Sequence, residues 1–404
     1  MAGTRQHITS AETALLLRQP ERWSQAGSLL IIEPPEAADV QALLVEGVSA
    51  DRVTVFTTDM AVAAGLPAGV RVKSSAWLAE GAHPLAIMYM PKSKARLEML
   101  LAMASLCLAP EGEALLVGHN HSGVGAAPVL SPALIGPALK VDAARHCELY
   151  TLQRQTQPEG AKATLAGWLE TWTADASEST AAAPFEVQSL PGVFSHGRLD
   201  EGTARLLRAL SLGQTPGQVL DIGCGAGVIS AFIAMRWPEA VLTCADISHL
   251  AVASAAHTLP RARCIPSDAF RALSGARFDH IITNPPFHRG QHTEHETTER
   301  IIREAPNYLN RGGSLWVVVN RFRDAAARVE AAFGRAERLY EDTQFTVLRA
   351  RKNFITLAEV SPAAAASAAA RPGKRPGQQR PSQRRPGQRP DQGTDGSPGP
   401  RKRK

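Results

Sequence analysis

The sequence predicts an α/β protein of two doubly wound domains in tandem, the first a degenerate copy of the second, followed by a disordered basic tail. Three observations carry this. The stretch Val219-Leu-Asp-Ile-Gly-Cys-Gly-Ala-Gly-Val-Ile-Ser230 reads as a buried strand, a glycine turn and an apolar helix. Residues 1–170 alternate apolar runs with segments of helical spacing, which implies a second α/β sheet. Residues 361–404 are alanine-rich, then run through Arg-Pro-Gly-Gln repeats to Arg401-Lys-Arg-Lys404, a composition that cannot bury a core. The expected division is 1–170, a small and polar linker over 171–185, a second domain over 186–360, and the tail.

Composition narrows the class. No run of about 18 apolar residues is present, so no membrane span is expected. The start Met1-Ala-Gly-Thr-Arg-Gln-His lacks the charged-then-apolar pattern of a secretory signal. The cysteines Cys107, Cys147, Cys224, Cys244 and Cys264 are odd in number and form no C-x-x-C pair. That pattern fits buried thiols of a reducing cytoplasm better than a disulfide frame or a zinc site. The net charge of +6 belongs to the tail: residues 371–404 hold eleven Lys and Arg against two Asp, leaving 33 basic and 36 acidic side chains elsewhere.

In the first half, Leu29–Ile32, Arg52–Phe56, Leu85–Tyr89 and Ala114–Val117 read as strands, with a helix from Lys94 to Leu108. Leu85-Ala-Ile-Met-Tyr-Met-Pro91, a helix, then Leu108 to Val117 resembles Ile281-Ile-Thr-Asn-Pro285, a helix, then Leu309 to Val317, with two unrelated α/β domains the alternative to a worn copy. Where this copy should carry its glycine loop it has Glu33-Pro-Pro-Glu36. Proline has no N–H to donate and carboxylates repel anions, so this half is expected to bind no cofactor. Pro91-Lys-Ser-Lys-Ala-Arg96 opens a helix with Lys92, Lys94 and Arg96 close together, and Asn120-His-Ser-Gly-Val124 follows a strand. Such features suit the positioning of RNA phosphates, with a merely solvated face the alternative for the lysines. Ahead of the second domain, Leu190-Pro-Gly-Val-Phe-Ser195 makes Phe194 and Ser195 candidate lid residues.

The second half carries the chemistry. Its first strand holds an acid, Asp221, and glycines follow at Gly223, Gly225 and Gly227. Glycines at such a turn are expected to bring bare N–H groups up to a ligand. The spacing D-x-G-x-G-x-G differs from the G-x-G-x-x-G of hydride-transfer enzymes and resembles the S-adenosylmethionine (SAM) site of class I methyltransferases. The second strand, Val241–Asp246, ends in Asp246, suited to both ribose hydroxyls; Asp268, after the third, would accept from the adenine amine. The fourth strand ends in Asn284-Pro-Pro-Phe287. This motif implies a planar nitrogen as methyl acceptor, whose delocalised lone pair attacks poorly. The Asn284 oxygen and the Pro285 carbonyl accept its two N–H bonds, Pro285 and Pro286 stiffen the turn, and Phe287 offers a stacking face. Positioning of this kind supplies up to ~7–11 kcal/mol in ideal cases. His288, His292 and His295 lack a clear fourth ligand, so a loop over the acceptor is expected rather than a metal site. Residues 336–340 and 345–349 are expected to close the sheet as a hairpin.

Taken together, Met90-Pro-Lys-Ser-Lys94, Leu116-Val-Gly118 with Ser122-Gly-Val124, Lys140-Val-Asp-Ala-Ala-Arg145 with Cys147, Leu190 to Ser195, Asp221 to Val228 and Asn284-Pro-Pro-Phe-His288 resemble the bacterial ribosomal RNA small subunit methyltransferase C (RsmC) family over roughly residues 10–350. The resemblance implies two tandem class I (Rossmann-like) methyltransferase domains, only the second of which binds SAM. It implies N2 methylation of a guanine of 16S rRNA, guanine-1207 in the family, presented in the small ribosomal subunit by a monomeric cytoplasmic enzyme. His119 stands where the family pattern suggests an acid, and Asp268 where it suggests an amide. The same core motifs serve N6-adenine and protein-glutamine N5 methyltransferases, and a non-catalytic RNA-binding assembly factor is the reading from another class. RNA contact falls to Lys92, Lys94 and Arg96 and to Arg401, Lys402, Arg403 and Lys404 of the tail, for which a solubility or non-specific role is the alternative.

Overall fold

The protein is described by a computed structural model over residues 9–180, 182–285, 292–321 and 325–352. The first sheet contains β1 (Leu29–Ile32), β2 (Val53–Thr57), β3 (Arg71–Ser74), β4 (His83–Tyr89), β5 (Leu108–His119), β6 (Ala138–Ala144) and β7 (Cys147–Gln153). Their order is β3-β2-β1-β4-β5-β7-β6, with the first five parallel and β7 and β6 antiparallel. A strand buried on both faces reads as a continuous apolar run, which is why Leu29–Ile32 is legible without alternation.

Two short strands follow, β8 (Glu170–Ala174) and β9 (Phe185–Ser189), paired antiparallel. The stretch expected to be a bare linker is thus partly hydrogen-bonded. Its small residues hide a period of two: Trp172 is half-buried and Ala174 buried, while Thr171 and Thr173 face water.

The second sheet contains β10 (Gln218–Ile222), β11 (Val241–Asp246), β12 (Arg263–Pro266), β13 (Phe278–Thr283), β14 (Leu309–Asn320), β15 (Glu337–Glu341) and β16 (Phe345–Arg351). Its order, β12-β11-β10-β13-β14-β16-β15, repeats the first sheet strand for strand. The repetition extends to the backbone. Glu33 has φ 53° and Gly223 φ 73°. The Glu33 N–H donates to Phe56 O at 2.9 Å, as the Gly223 N–H donates to Ala245 O at 2.8 Å.

The halves share an apolar cluster that includes Met99, Ala102, Leu190, Val193, Ala226 and Leu250. They also pair through backbone at the ends of β2 and β11. The His249 N–H donates to Thr58 O at 2.8 Å, and the Met60 N–H to Ile247 O at 3.1 Å. Among the described residues no helix is long and apolar enough to cross a membrane. All five cysteines are free thiols, four of them buried.

Candidate active site

At the C-terminal ends of β10, β11 and β13 lies a cavity of about 430 Å³, lined by Phe194, Ser195, Asp200, the 222–226 loop, Asp246, Asp268, Asn284 and Pro285, among others. Small-molecule sites fall in this size range, and open α/β sheets place them at this edge.

The glycine loop does not do what its composition suggests. Its amides hold the loop itself: the Gly223 and Cys224 N–H groups donate to Ala245 O, Gly225 N–H to Asp246 Oδ2, and Gly227 N–H to Cys224 O. The expectation of bare amides facing a ligand is therefore corrected for these four; Ala226, also in the cavity wall, is not among them. Glycine is required for conformation, since Gly223, Gly225 and Gly227 have φ 73°, 54° and 81°. At Gly227 space is short as well: a Cβ would stand 3.1 Å from Leu259 Cδ1.

Asp221 is fully buried beneath this loop. Its Oδ2 accepts from Ser230 N–H at 3.2 Å and from Ser230 Oγ at 2.8 Å, while Oδ1 is buried without a partner. Burial pushes the carboxyl up to about 7. Asp246 lines the cavity and accepts from Gly225 N–H at 3.0 Å and Ser248 N–H at 2.9 Å, leaving a lone pair on each oxygen. Burial pushes it upward and these two backbone bonds pull it down. Asp268 also lines the cavity, but Arg300 grips both its oxygens, one of them at 3.1 Å. Phe194, 53 % exposed, and Ser195, with φ 54°, form part of the wall.

Asn284 follows β13, which Thr283 ties to β10 through a 2.8 Å hydrogen bond from its Oγ1 to Ile222 O. The Asn284 amine donates to Asp200 Oδ2 and to Thr203 Oγ1, both at 2.8 Å. Pro285 lies beside it in the cavity wall. Pro286 and Phe287 fall outside the described residues, as do His288, the side chains of His292 and His295, and tail residues Arg401, Lys402, Arg403 and Lys404. Among the described residues no cluster of His, Cys, Asp and Glu is suited to a metal ion. Sequence reasoning missed Asp200, Thr203 and Phe345, which share the cavity. The available signal was Asp200-x-x-Thr203, the pattern of a helix N-cap.

The basic patch of the first half divides. Lys92 and Lys94 are exposed. Arg96 is not: it is 3 % exposed, its guanidinium pairs with Glu33 Oε1 at 2.6 Å, and Gly192 packs on its stem. Arg96 is removed from the RNA-contact set, because a cation sealed between the two halves cannot reach a phosphate. Glu33 also accepts from Thr58 N–H and Oγ1. The position that carries the glycine loop in the second half thus holds an ion pair in the first.

Comparison with known proteins agrees with this geometry. Residues 184–349 match the methyltransferase small domain family, and residues 14–172 match the methyltransferase small domain N-terminal family. A ribosomal RNA small subunit methyltransferase C of Pseudoalteromonas atlantica is 33 % identical over 352 residues, spanning 85 % of this chain and 100 % of the relative. The chain belongs to the ribosomal RNA small subunit methyltransferase C family. A Vibrio vulnificus member is 37 % identical over 310 residues, covering 75 % of this chain and 88 % of its own. The solved structure of the T. thermophilus 16S rRNA N2 G1207 methyltransferase (RsmC), in complex with AdoMet and guanosine, superposes with a TM-score of 0.71. It is 26 % identical and covers 87 % of this chain and 93 % of that one. The two tandem sheets of the present chain are the architecture of this family.

Proposed function

We propose that the chain transfers the methyl group of SAM to the exocyclic N2 of a guanine in 16S rRNA, the position corresponding to guanine-1207. One observation carries the reading: Asn284 stands at the cavity wall with its side-chain NH2 held by Asp200 and Thr203, which leaves its oxygen as the end to receive the acceptor.

The residues fit SAM. Two carboxylates, Asp246 and Asp268, stand at successive strand ends, Ile222, Ile229 and Ile301 supply apolar wall, and the orphaned Asp221 Oδ1 lies under the loop. Asp246 takes the ribose hydroxyls on its remaining lone pairs. Asp268, steadied by Arg300, has lone-pair capacity for the adenine amine. Phe194 and Ser195 cover the cofactor. When bound, SAM supplies an electrophilic methyl on a sulfonium. Asn284 Oδ1 and the Pro285 carbonyl accept the two N–H bonds of the guanine amine and hold its nitrogen on the cavity axis. As positive charge develops on that nitrogen, the two oxygens stabilise it, so no general base is needed before attack, and one N–H proton leaves to solvent once the nitrogen has become cationic.

The catalytic domain in this reading comprises residues 186–360. The first 170 residues carry no cofactor and offer Lys92 and Lys94 to phosphates, and residues 361–404 add sequence-independent phosphate contacts. The substrate is presented within the small subunit, and the enzyme works as a cytoplasmic monomer. Purified protein with labelled SAM is expected to label guanine N2 in 16S rRNA from a strain lacking the enzyme, mapped by mass spectrometry. Label at adenine or in a protein refutes the assignment. Asn284→Ala is expected to lower turnover by about 100-fold or more with SAM affinity in calorimetry nearly unchanged; retained activity would remove Asn284 from its role.

A further inference from the structure

We infer that Asp200 is the positioning residue that aims Asn284, an inference resting on the role given to Asn284 above. A carboxamide has two ends of similar shape and opposite hydrogen-bonding sense. Only the oxygen end can accept from an amine; the NH2 end would set donor against donor. Which end faces the cavity is therefore decided by what holds the other. Asp200 Oδ2 sits 2.8 Å from Asn284 Nδ2 and accepts from it, as it does from the Thr203 N–H. Thr203 Oγ1, also at 2.8 Å, supplies the second acceptor.

The aim is inherited from a helix start. Asp200 is the N-cap of the helix Glu201–Ala209, where the same Oδ2 accepts the Thr203 N–H at 2.9 Å. That helix buries Gly202, Thr203, Ala204, Leu206 and Leu207, so its first turn cannot drift. Gly202 leaves room for the arrangement: a Cβ there would stand 3.1 Å from Asp200 Oδ2, 3.4 Å from Asn284 Oδ1 and 3.2 Å from Phe345 Cε1. One carboxylate oxygen thus caps the helix and orients the amide 84 residues away in sequence.

Two variants separate orientation from capping. Asp200→Ser keeps a side chain that caps helices well but is too short to reach Asn284. Asp200→Asn keeps both a good cap and an acceptor oxygen. The full chain is assayed for single-turnover methylation of small ribosomal subunits carrying unmodified 16S rRNA, with melting temperature and SAM affinity alongside. Asp200→Ser is expected to slow methyl transfer by about 10- to 100-fold with melting temperature and SAM affinity near those of the parent. Asp200→Asn is expected to stay within about threefold of the parent. A parent-like rate in Asp200→Ser, or an Asp200→Asn as slow as Asp200→Ser, overturns the inference. Asn284→Ala, run in parallel, distinguishes the failures. If it is inactive while Asp200→Ser is fast, only the positioning role falls. If it is active, the reading of Asn284 itself falls.

Discussion

Asp221 offers a test that needs neither cofactor nor RNA. Its carboxyl is fully buried, with one oxygen satisfied by Ser230 and the other by nothing, and burial pushes it from 3.8 up to about 7. The sign follows from linkage. A carboxyl raised in the fold favours the protonated form, so its contribution is fully present below pH 4 and is lost as pH rises towards 7. Ionising it in the folded state costs about 4 kcal/mol in all, because each tenfold change in proton affinity is worth about 1.4 kcal/mol, and about 2–3 kcal/mol of that falls between pH 5 and pH 8. Asp221→Asn abolishes this titration. The amide oxygen replaces Oδ2 towards Ser230, while the NH2 takes the orphaned place at a cost of about 1–3 kcal/mol. The variant should therefore be less stable than the parent at pH 5 and level with it or better at pH 8. Denaturant unfolding at several pH values between 5 and 8 measures this. Parallel stability–pH curves for parent and variant would show that Asp221 is ionised throughout and would refute the reasoning.

Three further outcomes are expected. Arg96→Leu should destabilise the protein by about 3 kcal/mol in denaturant unfolding, because Glu33 is left as a charge with its main partner gone. Lys92→Ala with Lys94→Ala should leave unfolding unchanged but weaken RNA binding and reduce the slope of log K against log salt by about one per lysine; an unchanged slope would place RNA elsewhere. Removing residues 361–404 should weaken RNA binding and flatten its salt dependence more strongly, in a filter-binding titration across salt, with little effect on SAM affinity.

The sequence made the sheets and the cavity's main chemical groups legible for definite reasons. Strands buried on both faces give unbroken apolar runs, and a loop needing positive φ at three alternate positions strongly favours glycine at each. Elements lacking such a signature were missed. β3, Arg71-Val-Lys-Ser74, lies at the sheet edge with its side chains largely in water, so no apolar pattern marks it. Arg96 was misread because Lys92, Lys94 and Arg96 look like one cluster in sequence. On the helix, Arg96 shares a stripe with Met99, Leu100 and Met103, all buried, and that spacing was the better guide. Asp200 could be read as a helix cap, but its reach to Asn284 depends on how β13 lies against the helix Glu201–Ala209, which local spacing does not encode.

The two loops at the heads of β1 and β10 explain how one fold came to serve two purposes. Both begin with a left-handed residue whose N–H is held by the neighbouring strand. In the second half that residue is Gly223. In the first it is Glu33, which bears the strain of about 1–2 kcal/mol that a side chain meets at positive φ. The strain is offset because the Glu33 carboxylate holds Thr58 and Arg96. Thr58 O in turn accepts from His249, and Met60 N–H reaches Ile247, the residue next to Asp246. The loop position that holds Gly223 in the second half thus carries an ion pair in the first, and the loop it steadies is hydrogen-bonded to the residues that follow Asp246. A glycine at position 33 would relieve the backbone but strand the buried Arg96, so the degenerate loop cannot revert by that single step.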